Sequence, residues 1–288
     1  MRVKEYYLNS KKIRLYVKQW LPDHDTDLVV IMVHGIGEYS GCYEHWAERF
    51  VAQSIGFVGF DLRGHGRSSG KRGHASLHQL MTDTRIVVKK INKACPHAVI
   101  ILYGHSMGAH IALNYALTQG VKVQGIIASS PWLKLVRPPS PMLVNLARAG
   151  SSIFPSLTVK TGIKRDQLSS SEVQKSTKTD PLLHKKISIK LFTDLWKNGE
   201  IILKLKHRLN IPLLLMHGED DPLVSCQASQ AFANNAGAYT SFKLWKGMKH
   251  ELLSDAENEA VFQHIIQWIM NVYKNGNIQN NYKKAVIA

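Results

Sequence analysis

HAVIILYGHSMGAHIALNYAL, residues His97 to Leu117, is the stretch whose reading decides the fold. The run to Tyr103 has the apolar, β-branched character of a strand, and beyond Met107 the residues Ile111, Ala112, Ala116 and Leu117 recur at helical spacing. Between them stands Gly104-His105-Ser106-Met107-Gly108, the G-x-S-x-G pattern of a sharp strand-to-helix turn that lifts a serine hydroxyl into a cleft. Glycine suits the flanking positions because a strained serine backbone needs close neighbours without side chains. Five residues alone are weak evidence; the strand before them and the helix after them give the pattern its physical content. Ser106 is the candidate nucleophile.

Upstream of this stretch the same alternation is already running. LVVIMV, Leu28 to Val33, is continuously apolar, as expected of a strand buried on both faces, and it ends in His34-Gly35-Ile36-Gly37. A helical segment around Trp46, Phe50 and Val51 follows, then the buried strand GFVGFD ending at Asp61, then a helix carrying Leu77, Leu80, Met81, Thr84, Val88 and Ile91. The opening segments Glu5 to Leu8 and Ile13 to Trp20 read as an antiparallel pair at a sheet edge, turned by Asn9 and Ser10. Downstream, Gly120 supplies a helix stop before the strand VQGIIAS.

From Pro131 to Arg208 the alternation breaks, with Pro138, Pro139, Pro141, Pro155 and the serines Ser169 to Ser171. It resumes with IPLLLMHG, a helix near Gln227 to Asn235, the strand YTSFKLW and a last helix. That helix starts on a capping box, Ser254 with Glu257, and shows an apolar face through Val261, Ile265, Trp268 and Val272. The tail NGNIQNNYKKAVIA has no strong period and reads as loosely held. The pattern predicts an α/β fold with a mostly parallel central sheet flanked by helices. Residues 1–130 and 209–288 form its core, and 131–208 an inserted helical cap.

The chain has 288 residues and a formal charge of +16, with 44% hydrophobic residues, enough to bury a full core. No run of about 18 uncharged apolar residues is present, so no membrane-spanning helix is expected. The first 20 residues lack the apolar centre and cleavage site of a signal peptide. Cys42, Cys95 and Cys226 are isolated and odd in number, which fits free thiols in a reducing, cytoplasmic setting. The positive charge suits a polyanionic partner, nucleic acid or an anionic membrane. With no zinc-finger spacing, RNA-recognition signature or arginine-rich tract beside it, no nucleic acid is expected. The segment 131–208 holds 15 Lys and Arg against 5 Asp and Glu, so it carries +10 of the +16 and is the part suited to peripheral contact with an anionic membrane.

A serine hydroxyl needs a base to take its proton and a carboxylate to hold that base in one tautomer. In strand-turn-helix hydrolases the acid and then the histidine follow the serine at later strand ends. LLLMHG runs into Glu219-Asp220-Asp221, three acids that periodicity does not separate and of which Asp221 is preferred; SFKLW runs into Lys246-Gly247-Met248-Lys249-His250. His74 and His78 are four apart but lack a third ligand, so no metal is expected. Charge developing on the carbonyl oxygen needs two backbone N–H donors. Met107 and Ile36 are the candidates. Gly35, Gly37 and Gly41 have the wrong spacing for a dinucleotide fingerprint, and no cofactor is expected.

HGIGEYSG (His34 to Gly41), DLRGHGRSSG (Asp61 to Gly70), GHSMG (Gly104 to Gly108), HGEDDPLV (His217 to Val224) and GMKHELL (Gly247 to Leu253) together resemble the monoacylglycerol lipase and lysophospholipase group of α/β hydrolases. The resemblance covers almost the whole chain. It implies the α/β-hydrolase fold, a triad of Ser106, Asp221 and His250, oxyanion donors at Ile36 and Met107, and a lipid-admitting cap at about Pro131 to Arg208. Asp221 takes the acid's place as the third residue after Gly218 in a G-x-x-D pattern. Where the animal monoglyceride lipases have an arginine after E-x-S-G, this chain has Cys42, followed by the matching Tyr43. The implied activity is hydrolysis of monoacylglycerol-like esters. Lysophospholipase or broad carboxylesterase activity is the alternative within the fold, and a non-catalytic lipid-binding or membrane-surface protein the alternative outside enzymes.

Overall fold

Strands whose successive side chains point to opposite faces can be apolar throughout only when both faces are covered, and the central strands here meet that condition. The computed structural model describes residues 1–118, 122–164, 167–169, 180–204, 209–254 and 258–287, with side chains to residue 274. Its main sheet has strands β1 (Arg2–Ser10), β2 (Ile13–Leu21), β3 (Leu28–Val33), β4 (Gly56–Phe60), β5 (Val99–His105), β6 (Gly125–Ser129), β9 (Leu213–Gly218) and β10 (Thr240–Trp245), in the spatial order β1-β2-β4-β3-β5-β6-β9-β10. The pairs β1-β2 and β2-β4 are antiparallel and the rest parallel. Two short antiparallel strands, β7 (Thr158–Lys160) and β8 (Lys186–Ser188), stand apart.

Helices α1 (Glu44–Ala52) and α7 (Asn258–Ile287) cover one face; α2 (Leu77–Ala94), α3 (Met107–Leu117), α5 (Ile189–Lys204) and α6 (Cys226–Asn235) cover the other. The period of two is visible in the core. Val29, Ile31 and Val33 pack with the α2, α3 and α5 side, whereas Leu28, Val30 and Met32 pack with Trp46, Phe50, Phe262 and Ile265. The remaining helix, α4 (Pro141–Ile153), is capped by Ser140 and lies against α5 with Val144 as its buried residue. Between Pro131 and Arg208, where the alternation breaks in the sequence, α5 sends Leu191, Leu195 and Ile202 into the same core as α2 and α3.

Some local expectations differ from what is observed. Asn9 and Ser10 are paired in β1, and the turn falls on Lys11, at φ 55°, and Lys12. The Ser10 hydroxyl donates to the buried Asp83 carboxylate, which keeps this residue in the strand. Among the described residues the last helix runs from Asn258, and Ser254 closes a short 3-10 turn, Leu252–Ser254. The backbone of the tail continues that helix to Ile287. Gly120, Glu257, Ser170 and Ser171 lie outside the described residues.

The chain leaves β3 toward β4 on one side and returns to β5 on the other, so the strand order reverses there. Ligands in open parallel sheets bind at such a switch, beyond the carboxyl ends of the strands. Both the His34–Gly37 loop and Ser106 occupy that position.

Candidate active site

Ser106 sits between β5 and α3 at φ 53°, ψ −113°, a conformation L-residues avoid and that persists only where the surroundings over-determine it. Those surroundings are close backbone. A Cβ on Gly104 would stand 2.2 Å from the Gly108 carbonyl oxygen, and one on Gly108 1.9 Å from that of Val33. The Ser106 N–H donates to the Ser129 carbonyl at 2.9 Å, and the Trp132 N–H to the Ser106 carbonyl at 3.2 Å. The elbow is thus locked against β3, β6 and the backbone at Trp132.

Ser106 Oγ is 2.9 Å from His250 Nε2, and His250 Nδ1 is 2.6 Å from Asp221 Oδ2. A carboxylate only accepts, so Nδ1 carries the proton and Nε2 presents its lone pair to the serine hydroxyl. All three residues are buried. Glu219 and Asp220 are exposed, and this burial separates the three acids that periodicity left together. Burial alone would raise the Asp221 carboxyl, but His250, and after it His217, hold it well below the usual carboxylate range. Burial would likewise lower His250, yet Asp221, with Glu251 and Glu38, carries it above 6.5. The Ser130 hydroxyl donates to the His250 carbonyl at 2.8 Å and fixes the base's backbone.

Ile36 borders the same pocket as Ser106 and His250. Met107 is the first residue of α3, where a helix N–H has no partner within the helix. Sequence reasoning did not single out Glu38, although it stands in HGIGE, directly after the loop. Its carboxylate accepts from the Gly35 N–H at 2.8 Å and the Tyr43 hydroxyl at 2.7 Å, bracing the loop that carries Ile36. Burial would raise Glu38; His105, Tyr43, His34 and the Gly35 N–H hold it lower. At Gly37, φ 81°, a Cβ would meet the His184 carbonyl oxygen at 2.0 Å, while the His184 N–H donates to the Gly37 carbonyl at 3.0 Å. The backbone at His184 is therefore pinned onto the loop.

The DLRGHG turn is held by its own contacts. Asp61 accepts from the Ser40 N–H and hydroxyl and from the Arg67 N–H, and Arg63 forms a two-pronged ion pair with buried Asp83 at 2.6 Å. Among the described residues no group of three His, Cys, Asp or Glu side chains is placed to hold a metal ion. Cys42, Cys95 and Cys226 are free thiols.

The pocket over Ser106 has a volume of about 510 Å³. Trp46, Ile163, Leu168, Leu183, Leu252 and Leu253 give it apolar walls, and Glu38, Asp180, Lys185 and Glu251 stand among its polar residues, with Cys42 beside them. A lining that mixes apolar with polar side chains suits a ligand that carries both kinds of group. A buried serine, base and acid in hydrogen-bonded series beside such a pocket can carry out acyl transfer.

Residues 24–257 match the family described as serine aminopeptidase, S33. A monoacylglycerol lipase of Mycolicibacterium smegmatis is 30% identical over 266 residues, covering 90% of this chain and 94% of that protein. An uncharacterized abhydrolase domain-containing protein of Dictyostelium discoideum is 34% identical over 273 residues, 93% of this chain but 29% of its own length. The crystal structure of the Paleococcus ferrophilus monoacylglycerol lipase superposes with a TM-score of 0.80 at 30% identity, covering 90% of this chain and 99% of that one.

Proposed function

The chain belongs to the serine aminopeptidase S33 family of α/β hydrolases, and from that premise we propose that it is a serine hydrolase cleaving monoacylglycerol-like carboxylic esters through an acyl-enzyme. The observation that carries the reading is the series Ser106, His250, Asp221 at the wall of a pocket with apolar and polar regions. His250 Nε2 takes the Ser106 proton as Oγ attacks the ester carbonyl. The backbone N–H groups of Ile36 and Met107 receive the developing oxyanion. His250 then gives the proton to the departing alcohol, and water, activated by the same base, releases the fatty acid. Asp221 keeps His250 in the required tautomer throughout.

The test is hydrolysis of an ester panel spanning acyl length and alcohol group, beside covalent labelling by a fluorophosphonate. Labelling and monoacylglycerol turnover, both abolished in Ser106→Ala, are expected. Lysophospholipid turnover exceeding that of monoacylglycerol would move the assignment to the lysophospholipase alternative, and absence of labelling would remove it.

The inserted segment 131–208 is read as a lid that docks on anionic membrane surfaces. Met142, Leu146 and Ile153 of α4 and Phe154 after it are exposed, at 76%, 67%, 71% and 63%. Arg148 of α4 and Lys190, Lys197 and Lys204 of α5 line a surface groove beside them, with Glu200 paired to Arg148 at 3.3 Å and Asp194 to Lys190 at 2.6 Å, which leaves Lys197 and Lys204 as its excess positive charge. An apolar helix face next to cations is the composition of an interfacial anchor. No described helix is long and apolar enough to cross a membrane.

A further inference from the structure

The carboxylate of Asp221 has four acceptor sites, and four donors fill them. Oδ1 takes the backbone N–H groups of Leu223 at 2.8 Å and Val224 at 3.1 Å. Oδ2 takes His250 Nδ1–H at 2.6 Å and, at 3.1 Å, the Nε2 of a second histidine, His217. Of these donors, His217 is the one side chain outside the proposed triad. It lies on β9, four residues before Asp221, and is fully buried.

The proton on His217 Nε2 follows from its neighbours. Asp221 Oδ2 and the Val224 carbonyl oxygen, at 3.2 Å, can both only accept, so Nε2 must donate. On the far side of the ring Nδ1 is 2.7 Å from the Ser229 hydroxyl of α6, so the imidazole is held from both of its nitrogens. A chain of side chains thus runs from α6 through His217 and Asp221 to His250 and Ser106.

We propose that His217 is a positioning residue of the triad, resting on the proposed function above. By sharing Oδ2 it fixes the carboxylate's rotation toward His250 and withdraws part of the charge that His250 would otherwise feel. The first effect keeps the base aimed at Ser106. The second keeps the imidazolium from being over-stabilised, so that the proton taken from serine can still pass to the leaving alcohol. Among the described residues, Glu38, Glu251 and His105 are further titratable groups that act on His250, the ring centroid of His105 lying 4.9 Å from that of His250.

The experiment compares pH profiles of kcat/KM for a soluble ester in the full chain and in three variants. His217→Leu removes the donor; loss of one hydrogen bond to a charged group predicts a fall in kcat of roughly 10- to 100-fold, with KM within about twofold. With its charge less shared, Asp221 should raise the basicity of His250, so the acid limb of the profile should move to higher pH. His217→Gln, whose amide nitrogen can stand where Nε2 does, should restore both rate and limb. His217→Asn reaches the Ser229 side but not Asp221, so it should behave as the leucine variant and replaces it if that chain does not fold. A limb that stays or moves down, or a glutamine variant as slow as the leucine one, overturns the inference. If the parent chain neither labels with a fluorophosphonate nor hydrolyses esters, the reading of its function fails first and the inference with it.

Discussion

The elbow around Ser106 and the helix α4 are built in opposite ways. At the elbow every residue from Gly104 to Ala109 is buried, and backbone stands within about 2 Å of any added Cβ at both glycines. At α4, Val144 is the buried residue, and the large apolar side chains around it face outward. Reaction geometry tolerates little displacement, so it is built where packing leaves no alternative. A surface that meets a lipid phase needs its apolar side chains free. The comparison predicts that changes at the elbow abolish chemistry for every ester, whereas changes on α4 alter where the enzyme works and leave soluble substrates nearly untouched.

The sharpest way to break this division is at its centre. Ser106→Ala and His250→Ala should each lower ester turnover by about 10⁴- to 10⁶-fold with the fold retained, and the double variant should be no worse than either. Steady-state kinetics on the purified variants check this; losses that multiply would separate the two residues. Asp221→Asn should cost about 10³- to 10⁴-fold through the wrong imidazole tautomer, while Asp220→Asn, on an exposed carboxylate, should lie within a few-fold of the parent. A reversed ranking would reassign the acid.

A smaller effect concerns pH. His250 must be neutral at Nε2 to accept the serine proton, and Asp221 holds its folded value above 6.5. The rate should therefore fall as pH drops through a midpoint above 6.5, since protonation removes the base. Asp221 is held low, so it stays ionised across that range and contributes no second step. A midpoint in kcat/KM at or below 6.5 would mean that the carboxylate does not reach the base as the geometry indicates.

How much of this was legible in the sequence follows the same division. Continuous apolar runs between helical periods marked β3, β4, β5 and β9 because buried parallel strands leave that trace, and the elbow was readable because only glycine fits beside it. Asp221 was not separable from Glu219 and Asp220 by periodicity, and only the resemblance through G-x-x-D set it apart, since which of three adjacent acids turns inward depends on the Leu223 and Val224 N–H groups that capture it. His217 passed as an ordinary strand residue, although HGEDD places it four residues before the acid. Glu38 was hidden for a related reason: its partners Gly35 and Tyr43 are local, but the need for a braced loop appears only once Ser106 is opposite. The place of α5 was hidden because the alternation breaks across Pro131 to Arg208, yet α5 carries an amphipathic stripe that packs into the core as any crossover helix would.

The smallest predicted effect tests the other half of the comparison, the outward surface. Lysines near an anionic bilayer contribute about 1 kcal/mol each, and the attraction decays over a Debye length of roughly 8 Å at physiological salt. Lys190 is already paired with Asp194 at 2.6 Å, and Lys185 borders the active-site pocket, so neither reports on a membrane cleanly. Lys197 and Lys204 are exposed on α5 and belong to neither. Neutralising both to glutamine should weaken sedimentation with anionic vesicles by roughly 30-fold at low salt, the equivalent of about 2 kcal/mol, and by much less at high salt. Leu146→Ser with Phe154→Ser should weaken binding in a way that salt does not restore, because it removes apolar insertion instead of charge. Both variants should hydrolyse a short soluble ester at the parent's rate. Equal binding to neutral and anionic vesicles would remove the lysines from the account, and loss of soluble-ester turnover in either variant would show that α4 and α5 serve the chemistry itself, collapsing the division between the two regions.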